Sequence, residues 1–402
     1  VILNWTCAVL ALLSLALLFW QWLVARRFPL HQRVHNPVYA PAVTLFKPLK
    51  GCDAATRDCL RSWFAQEYPG EVQILFGVTA ADDPVCEVVG QLAREFPARD
   101  AQLVVCGPPA GANAKASKLA ELERYAKHDM RVISDADVRV PPDFLANALA
   151  PLREPAVGLV HCFYRLSNPS TPAMQWEAVA VNADFWSQVL QSRSLKPLDF
   201  ALGAVMVTRR AQLEEIGGFA ALQDCLADDY QLGHRIARRG LRIALSPVVV
   251  ECWDPPMTWR AVWRHQLRWA RTIRVCEPVP YFFSILSNVT FWALLWFLVA
   301  LPDSAVRGAG SDPGPVPGAL TIEVQFPVCA MMAMACVAIR IVAAGDLQRR
   351  LTRSLTHLGW FWMTPIKDLL QAAVWVGAFL GNRIEWRGQQ FRLRRDGTLK
   401  KV

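Results

Sequence analysis

Residues 1 to 24 form an almost unbroken apolar run, and Arg26, Arg27 and Arg33 follow it at once. As a helix rising about 1.5 Å per residue, the run is longer than the roughly 30 Å of a bilayer's hydrocarbon core. Whatever follows it must fold at a membrane. Basic residues collect on the cytosolic side, so the run predicts an N-terminus outside and residue 30 in the cytosol. It reads as an anchor. A cleaved leader calls for a basic stretch before the apolar run and a small-residue cleavage site after it, and neither is seen.

Composition agrees with a membrane protein rather than a small soluble module. Of 402 residues, 53% are hydrophobic and only 19% charged, and 16 are Trp; the mean hydropathy is +0.21. Such a balance excludes a disordered tail and a small disulfide-stapled domain. It leaves room for one globular domain of about 200 to 250 residues beside the membrane segments. The net charge is +9, and only 9 of the 43 basic residues are Lys. Arginine bonds phosphate bidentately, although a GC-rich genome gives the same excess. The 11 cysteines run from Cys7 to Cys336 without a CxxC pair. Neither a zinc site nor a disulfide framework has its spacing, which predicts reduced thiols facing the cytosol.

From about residue 41 to 255 the pattern changes. Short apolar runs at 43–46, 72–78, 102–105 and 131–134 alternate with helical stretches such as 56–66 and 84–96. That alternation predicts βαβ units and a mostly parallel sheet. Ligands collect beyond the carboxyl ends of such strands, and acidic residues stand there: Asp53, then Asp82 and Asp83, then Asp135 and Asp137.

Beyond Thr258, Trp259, Trp263 and Trp269 recur among arginines near helical spacing. The stretch predicts a helix lying in the membrane interface, rings among acyl chains and guanidinium groups near phosphates. Residues 281–301 and 326–344 predict two further spans, joined by a Gly/Pro-rich segment, 302–319, on the outer side. The apolar stretch 355–380 contains Pro365, Lys367 and Asp368 and has basic flanks on both sides. Charge at the bilayer centre is costly, so this stretch predicts a re-entrant or interfacial segment. The resulting division is an anchor at 1–25, a cytosolic catalytic domain at 26–257, an amphipathic helix at 258–280, a membrane region at 281–380 and a basic cytosolic tail at 381–402.

The chemistry-bearing residues come in order. Asp135-Ala136-Asp137 ends an apolar strand, and two carboxylates at this spacing can hold a hard divalent ion against a diphosphate. Acidic pairs at strand ends also cap helices, and Asp143 and Asp228 are placed to do so. The pair gains weight from its neighbours: Lys47-Pro48-Leu49-Lys50-Gly51-Cys52-Asp53 after the first strand, Gly111-Ala112-Asn113-Ala114-Lys115 before the DxD, Asp228-Asp229-Tyr230 after Gly217-Gly218-Phe219, and His265-Gln266-Leu267-Arg268-Trp269 on the interfacial helix. On these residues the sequence resembles the membrane glycosyltransferases of families 2 and 21 with a GT-A nucleotide-sugar-binding fold, most closely the ceramide glucosyltransferases of family 21. The likeness reaches the C-terminal stretch 386–397. One departure is His265, where the family's (Q/R)xxRW pattern begins with Gln or Arg.

The resemblance implies an α/β catalytic domain and an inverting transfer of a hexose from a UDP-sugar to a lipid hydroxyl. It implies Asp53 at the uracil and ribose, Lys115 at the nucleotide, Asp135 and Asp137 at Mg2+ or Mn2+, and Asp229 as base, with Arg268 and Trp269 in the catalytic set. Lys50, Asn113, Asp135, Asp228, His265 and Gln266 are the further substrate-binding positions. Ceramide is the first acceptor, and a bacterial hopanoid receiving N-acetylglucosamine is the alternative. A processive polysaccharide synthase would need more spans, and a non-catalytic lipid-binding protein would be expected to lose an acidic position. The implied partners are the UDP-sugar, the lipid acceptor and the bilayer, with no nucleic acid, in a multi-pass protein of a bacterial inner membrane.

Overall fold

The computed structural model describes residues 2–34, 39–301, 319–386 and 388–401, and for 319–326 the backbone alone. The segment 302–318, expected on the outer side, and Arg387 of the tail lie outside the described residues.

The apolar runs become the strands of one eight-stranded sheet. These are β1 Val43–Pro48, β2 Val72–Val78, β3 Asp100–Val105, β4 Met130–Ser134, β5 Val138–Arg139, β6 Val157–Leu166, β7 Val205–Arg209 and β8 Arg242–Cys252. Their order is β3-β2-β1-β4-β7-β6-β8-β5. The first four pair in parallel, β7 runs antiparallel between β4 and β6, and β6 and β8 are parallel again. Every residue of β1, β2 and β4 is buried. That is why these strands read as continuous apolar runs rather than alternating ones: helices cover both faces.

On one face lie α2 Thr56–Phe64, α3 Val85–Glu95 and α5 Phe144–Leu149, whose Trp63, Val89 and Phe144 share a core with Leu45 and Ile74. On the other lie α4 Ala114–Leu122, α7 Trp186–Leu195, α8 Arg210–Glu215 and α9 Asp228–Ala237. This second core also takes in Ala25 of the N-terminal helix α1 Ile2–Arg27 and Ala344 and Leu347 of α13 Ala319–Thr352. The α/β domain and the sheet-proximal ends of the two long apolar helices therefore share one apolar core. Arg350 strengthens the join by donating to the carbonyls of Ala25 (2.9 Å), Arg26 (2.8 Å) and Phe28 (2.7 Å), closing the carbonyls that end α1.

Among the described residues two helices are long and apolar enough to cross a membrane, α1 and Pro327–Thr352. The expected span 281–301 is instead broken: α11 Pro278–Phe283 and the turn after it meet α12 Val289–Ala300 at 55°. Asn288 explains the break. Its Oδ1 accepts from Phe291 N (3.0 Å) to start α12 afresh, while its Nδ2 donates to the Asp368 carbonyl (2.7 Å). Counting that bent pair as one span gives three candidate spans among the described residues.

The 355–380 stretch forms a short turn and α14 Met363–Phe379. Its costly Lys367 and Asp368 are buried among protein partners. Lys367 pairs with Asp368 (2.8 Å) and Asp184, and Arg340 of α13 pairs with Asp184 (2.8 Å) and Asp368 (2.9 Å). Asp184 belongs to a π-helical stretch, Ala180–Phe185, between α6 Pro172–Val179 and α7.

The basic tail has a fold of its own: β9 Arg383–Trp386, β10 Gln389–Leu393 and β11 Leu399–Lys401 form an antiparallel sheet around Ile384, Phe391, Leu393 and Leu399. One expectation about charge is corrected by it: the arginines of α10 Trp259–Cys276 do not all stand free for lipid phosphate. Arg264 pairs with Glu385 (2.9 Å), Arg271 donates to the Arg383 carbonyl and Arg274 to Asn382. Guanidinium groups find a folded sheet there because its carbonyls and Glu385 lie along the helix.

Candidate functional site

The site gathers where β1 and β4 end. β1 leads into Gly51, whose backbone takes φ +70°, a left-handed value that favours glycine. This turn lets the Gly51 N–H donate to the Asp83 carboxylate (3.0 Å to each oxygen). Asp83 is thus a structural acceptor at the strand end. Two residues on, Asp53 Oδ1 accepts from Ala55 N (2.9 Å), Thr56 N (2.9 Å) and Thr56 Oγ1 (2.8 Å). Asp53 lines a cleft with Arg139, Asn168, Trp253 and Asp254, and Lys50 stands exposed beside the turn.

At the end of β4, Lys47 lies wholly buried. Its ammonium donates to Ser134 Oγ (3.2 Å) and to the Asp135 carbonyl, and lies 5.2 Å from the Trp63 ring centroid. Burial pulls its pKa down to about 8 against the attraction of Asp137. Asp137 is held up at about 7, by burial first and by the like charge of Asp135 second. Asp135 pairs with Lys115 Nζ at 2.6 Å.

Lys115 joins the two halves of the site, since its ammonium also lies 3.3 Å from Asp228 Oδ2. Burial opposes its charge, but the carboxylates of Asp135, Asp228 and Asp229 outweigh burial and raise its pKa. It is placed by Asn113, whose Oδ1 caps α4 through Lys115 N (2.9 Å) and Ala116 N (3.1 Å). The Asn113 amide donates to the Cys225 carbonyl (2.9 Å) and to Asp228 Oδ1 (3.1 Å). All its polar atoms are so engaged, and the side chain is buried: Asn113 acts through Lys115 and Asp228. Asp228 opens α9 without capping it. Asp229 accepts from Tyr230 N (2.8 Å) and has its pKa pushed up to about 6, by burial first and Asp228 second, with Lys115 opposing.

Besides its three arginine contacts to the tail, α10 is held at two points. Tyr230, next to Asp229, donates its hydroxyl to the Cys276 carbonyl (3.2 Å) and Glu277 Oε1 (3.0 Å) at the helix end. At the middle, Glu177 of α6 accepts from Gln266 Nε2 (2.8 Å), and its Oε1 lies 2.8 Å from His265 Nδ1. Gln266 is therefore turned into the protein. His265 lies against Trp269, ring centroids 4.3 Å apart. Arg268 lines a groove with Arg264, Arg271, Arg383 and Glu385, on the side of α10 that faces the tail sheet.

The structure thus brings together Lys115, Asp135, Asp228 and Asp229, and places Asp53 in the adjoining cleft. Three residues that motif reading passed over also belong here: Lys47 under the DxD turn, Asp254 in the Asp53 cleft and Glu177 behind α10. Lys47 stood inside the quoted KPLKG stretch, and its place before a DxD strand was the available signal. Glu177 and Asp254 carried none, because each meets its partner only after folding. Among the described residues all 11 cysteines are free thiols, as their spacing implied.

The chain is 25% identical over 223 residues to a ceramide glucosyltransferase 3 of Caenorhabditis elegans, covering 55% of this chain and 48% of that protein. It is 22% identical over 265 residues to a probable glycosyltransferase YdaM of Bacillus subtilis, covering 64% of this chain and 61% of that one. The chain spans about half the length of the first of these relatives. In fold it is similar to a mannosyltransferase of Pyrobaculum calidifontis solved in complex with GDP-Man and Mn2+, with a TM-score of 0.50, 20% identity, and 93% of this chain and 99% of that chain covered. The fold is a GT-A α/β domain carrying membrane helices. The family model described as glycosyl transferase family 21 matches residues 6–399, nearly the whole chain, and the chain belongs to that family.

Proposed function

We propose that the protein transfers a hexose from a UDP-sugar to the hydroxyl of a membrane lipid, with ceramide as the acceptor and inversion at the anomeric carbon. The observation that supports this most is the Asp135–Lys115–Asp228–Asp229 cluster, in a domain whose core continues into α1 and α13. A lipid held at the membrane can present a hydroxyl to such a site without leaving the bilayer.

In this reading Asp229 takes the proton of the attacking hydroxyl as the new bond forms. Its pKa near 6 leaves it ionised at neutral pH yet close enough to the working pH to accept a proton efficiently. Lys115 offers a fixed positive charge to the departing diphosphate, and Asp53 holds the nucleoside end. Arg268, on α10, is the further positive charge assigned to the leaving group.

A divalent ion fits the donor set. Asp135 and Asp137 offer hard carboxylate oxygens, and among the described residues no three His, Cys, Asp or Glu side chains converge on a self-sufficient metal centre. Asp135, in exchange for part of its Lys115 pairing, and Asp137 would hold Mg2+ or Mn2+ together with diphosphate oxygens, and the ion would neutralise charge developing on the nucleotide. The catalytic domain faces the cytosol, where UDP-sugars are made. A cysteine introduced at position 310 should then react with an impermeant reagent on intact cells, and one at Arg395 should not.

Mass spectrometry of lipids from cells expressing the protein, against an Asp229→Asn control, reports donor and acceptor together. A new hexosylceramide in the parent alone supports the proposal. A different glycolipid redirects the acceptor, and no new glycolipid refutes the reading.

A further inference from the structure

Glu177 is the most deeply buried carboxylate near the site, with 1% of its surface exposed. Its Oε1 meets two consecutive residues of α10, Gln266 Nε2 and His265 Nδ1, both at 2.8 Å. Its Oε2 is buried with no hydrogen-bond partner among the described residues. A buried, half-satisfied carboxylate is costly, so a protein that keeps one gets something for it. One oxygen thus accepts a hydrogen bond from Gln266 and lies against the neighbouring His265 ring, and these two adjacent contacts constrain the rotation of α10 about its own axis on the α6 side. That rotation decides where Arg268 and Trp269 point. His265 transmits the constraint directly, since its ring packs on Trp269 at 4.3 Å between centroids. Asp254 feels the charges of both His265 and Glu177, and lies in the cleft with Asp53. The pair is thus close enough to the Asp53 cleft to act on Asp254, one of its lining residues.

We propose that Glu177 is a positioning residue of the transfer reaction: through His265 it holds Trp269, and with it Arg268, in the orientation that turnover requires. The inference rests on the functional reading above. It also accounts for the departure from the family pattern: an imidazole can fill the first position of the motif where a carboxylate is supplied from α6 to hold it. Gln at the same position would accept or donate in the same plane.

The test uses the full chain in nanodiscs, with both sugar transfer to lipid and lipid-free hydrolysis of the UDP-sugar measured in the parent and in E177Q, H265A, H265Q and the E177Q/H265A double variant. Each of E177Q and H265A should lower kcat by roughly 10- to 100-fold, the cost of a displaced catalytic group, with donor KM within about threefold. The double variant should fall no lower than H265A, because both changes break one unit. H265Q should recover most of the kcat that H265A loses. Losses that multiply in the double variant, a loss confined to KM, or an H265Q as impaired as H265A would each overturn the inference while leaving the functional reading intact. A parent that neither transfers nor hydrolyses would refute that reading and the inference with it. UDP affinity by calorimetry separates a misfolded E177Q from a misoriented one, and H265Q carries the test if E177Q does not fold.

Discussion

Gly203 is what gives the Asp229 carboxylate its place: a Cβ on residue 203 would fall 2.6 Å from Asp229 Oδ2. The contact lies at the far end of a side chain, so Gly203→Ala should swing Asp229 aside rather than unfold the domain. With Asp229 as base, kcat should drop by about tenfold or more, since misplacement by an ångström is enough to cost that much. UDP affinity should stay within about threefold. Steady-state kinetics with calorimetry of UDP binding checks both, and a parent-like kcat would remove Asp229 from the reacting centre.

The pH profile tests the same residue independently. Burial and Asp228 hold Asp229 near 6, above the ordinary carboxylate range of about 4. A base must be ionised to act, so kcat/KM should fall as pH drops below about 6. Gly203→Ala, which moves the carboxylate toward different surroundings, should shift that limb. An acid limb that stays near 4 would argue against Asp229.

Stability carries the opposite sign. An acid whose folded pKa is raised holds its proton more tightly in the native state, so its contribution to stability declines as pH rises from about 4 through about 6. Asp229→Asn removes that penalty. The variant should therefore melt above the parent at pH 8, with the difference closing toward pH 4, while transfer collapses. Thermal unfolding at the two pH values reads this directly.

The divalent ion gives a further separation of roles. Asp135→Ala should weaken Mn2+-supported UDP binding by about tenfold or more, since it removes a hard ligand and the partner of Lys115. Asp53→Ala should weaken UDP binding without changing its dependence on metal. Calorimetry with and without EDTA distinguishes the two, and equal UDP affinity in parent and Asp135→Ala would exclude the assignment.

Much of this could be read before folding, and the limits are physical. β1, β2 and β4 are buried on both faces, so their composition alone marks them, and Asp53 and Asp135 follow from where they end. The membrane half was less legible. Hydropathy counts apolar residues but not the Asn288 side chain that restarts a helix within an apolar run. Nor does it show that Lys367 and Asp368 meet Arg340 and Asp184 from distant segments. Glu177 was invisible for the same reason: it is 89 residues from its partner Gln266. Local pattern reports backbone periodicity, whereas charge compensation depends on tertiary approach.

That compensation makes the last prediction. Asp184, Arg340, Lys367 and Asp368 carry two charges of each sign, and all four side chains are nearly or wholly buried. Thr290 adds a hydrogen bond to Asp368 at 2.5 Å. The square ties the π-helical stretch after α6 to α13 and α14, and so ties the catalytic domain to its membrane helices. Removing one charge leaves another buried and unmatched, which typically costs about 3–5 kcal/mol, while removing a matched pair costs far less. Lys367→Met alone and Asp368→Asn alone should each lower the unfolding temperature sharply in nanodiscs. The double variant, which keeps the Asp184–Arg340 pair with bonds of 2.9 and 2.8 Å, should recover most of the loss. If the double variant is instead as unstable as the sum of the two singles, the four residues do not act as one balanced group, and the catalytic domain is held to the membrane helices by their shared apolar core alone.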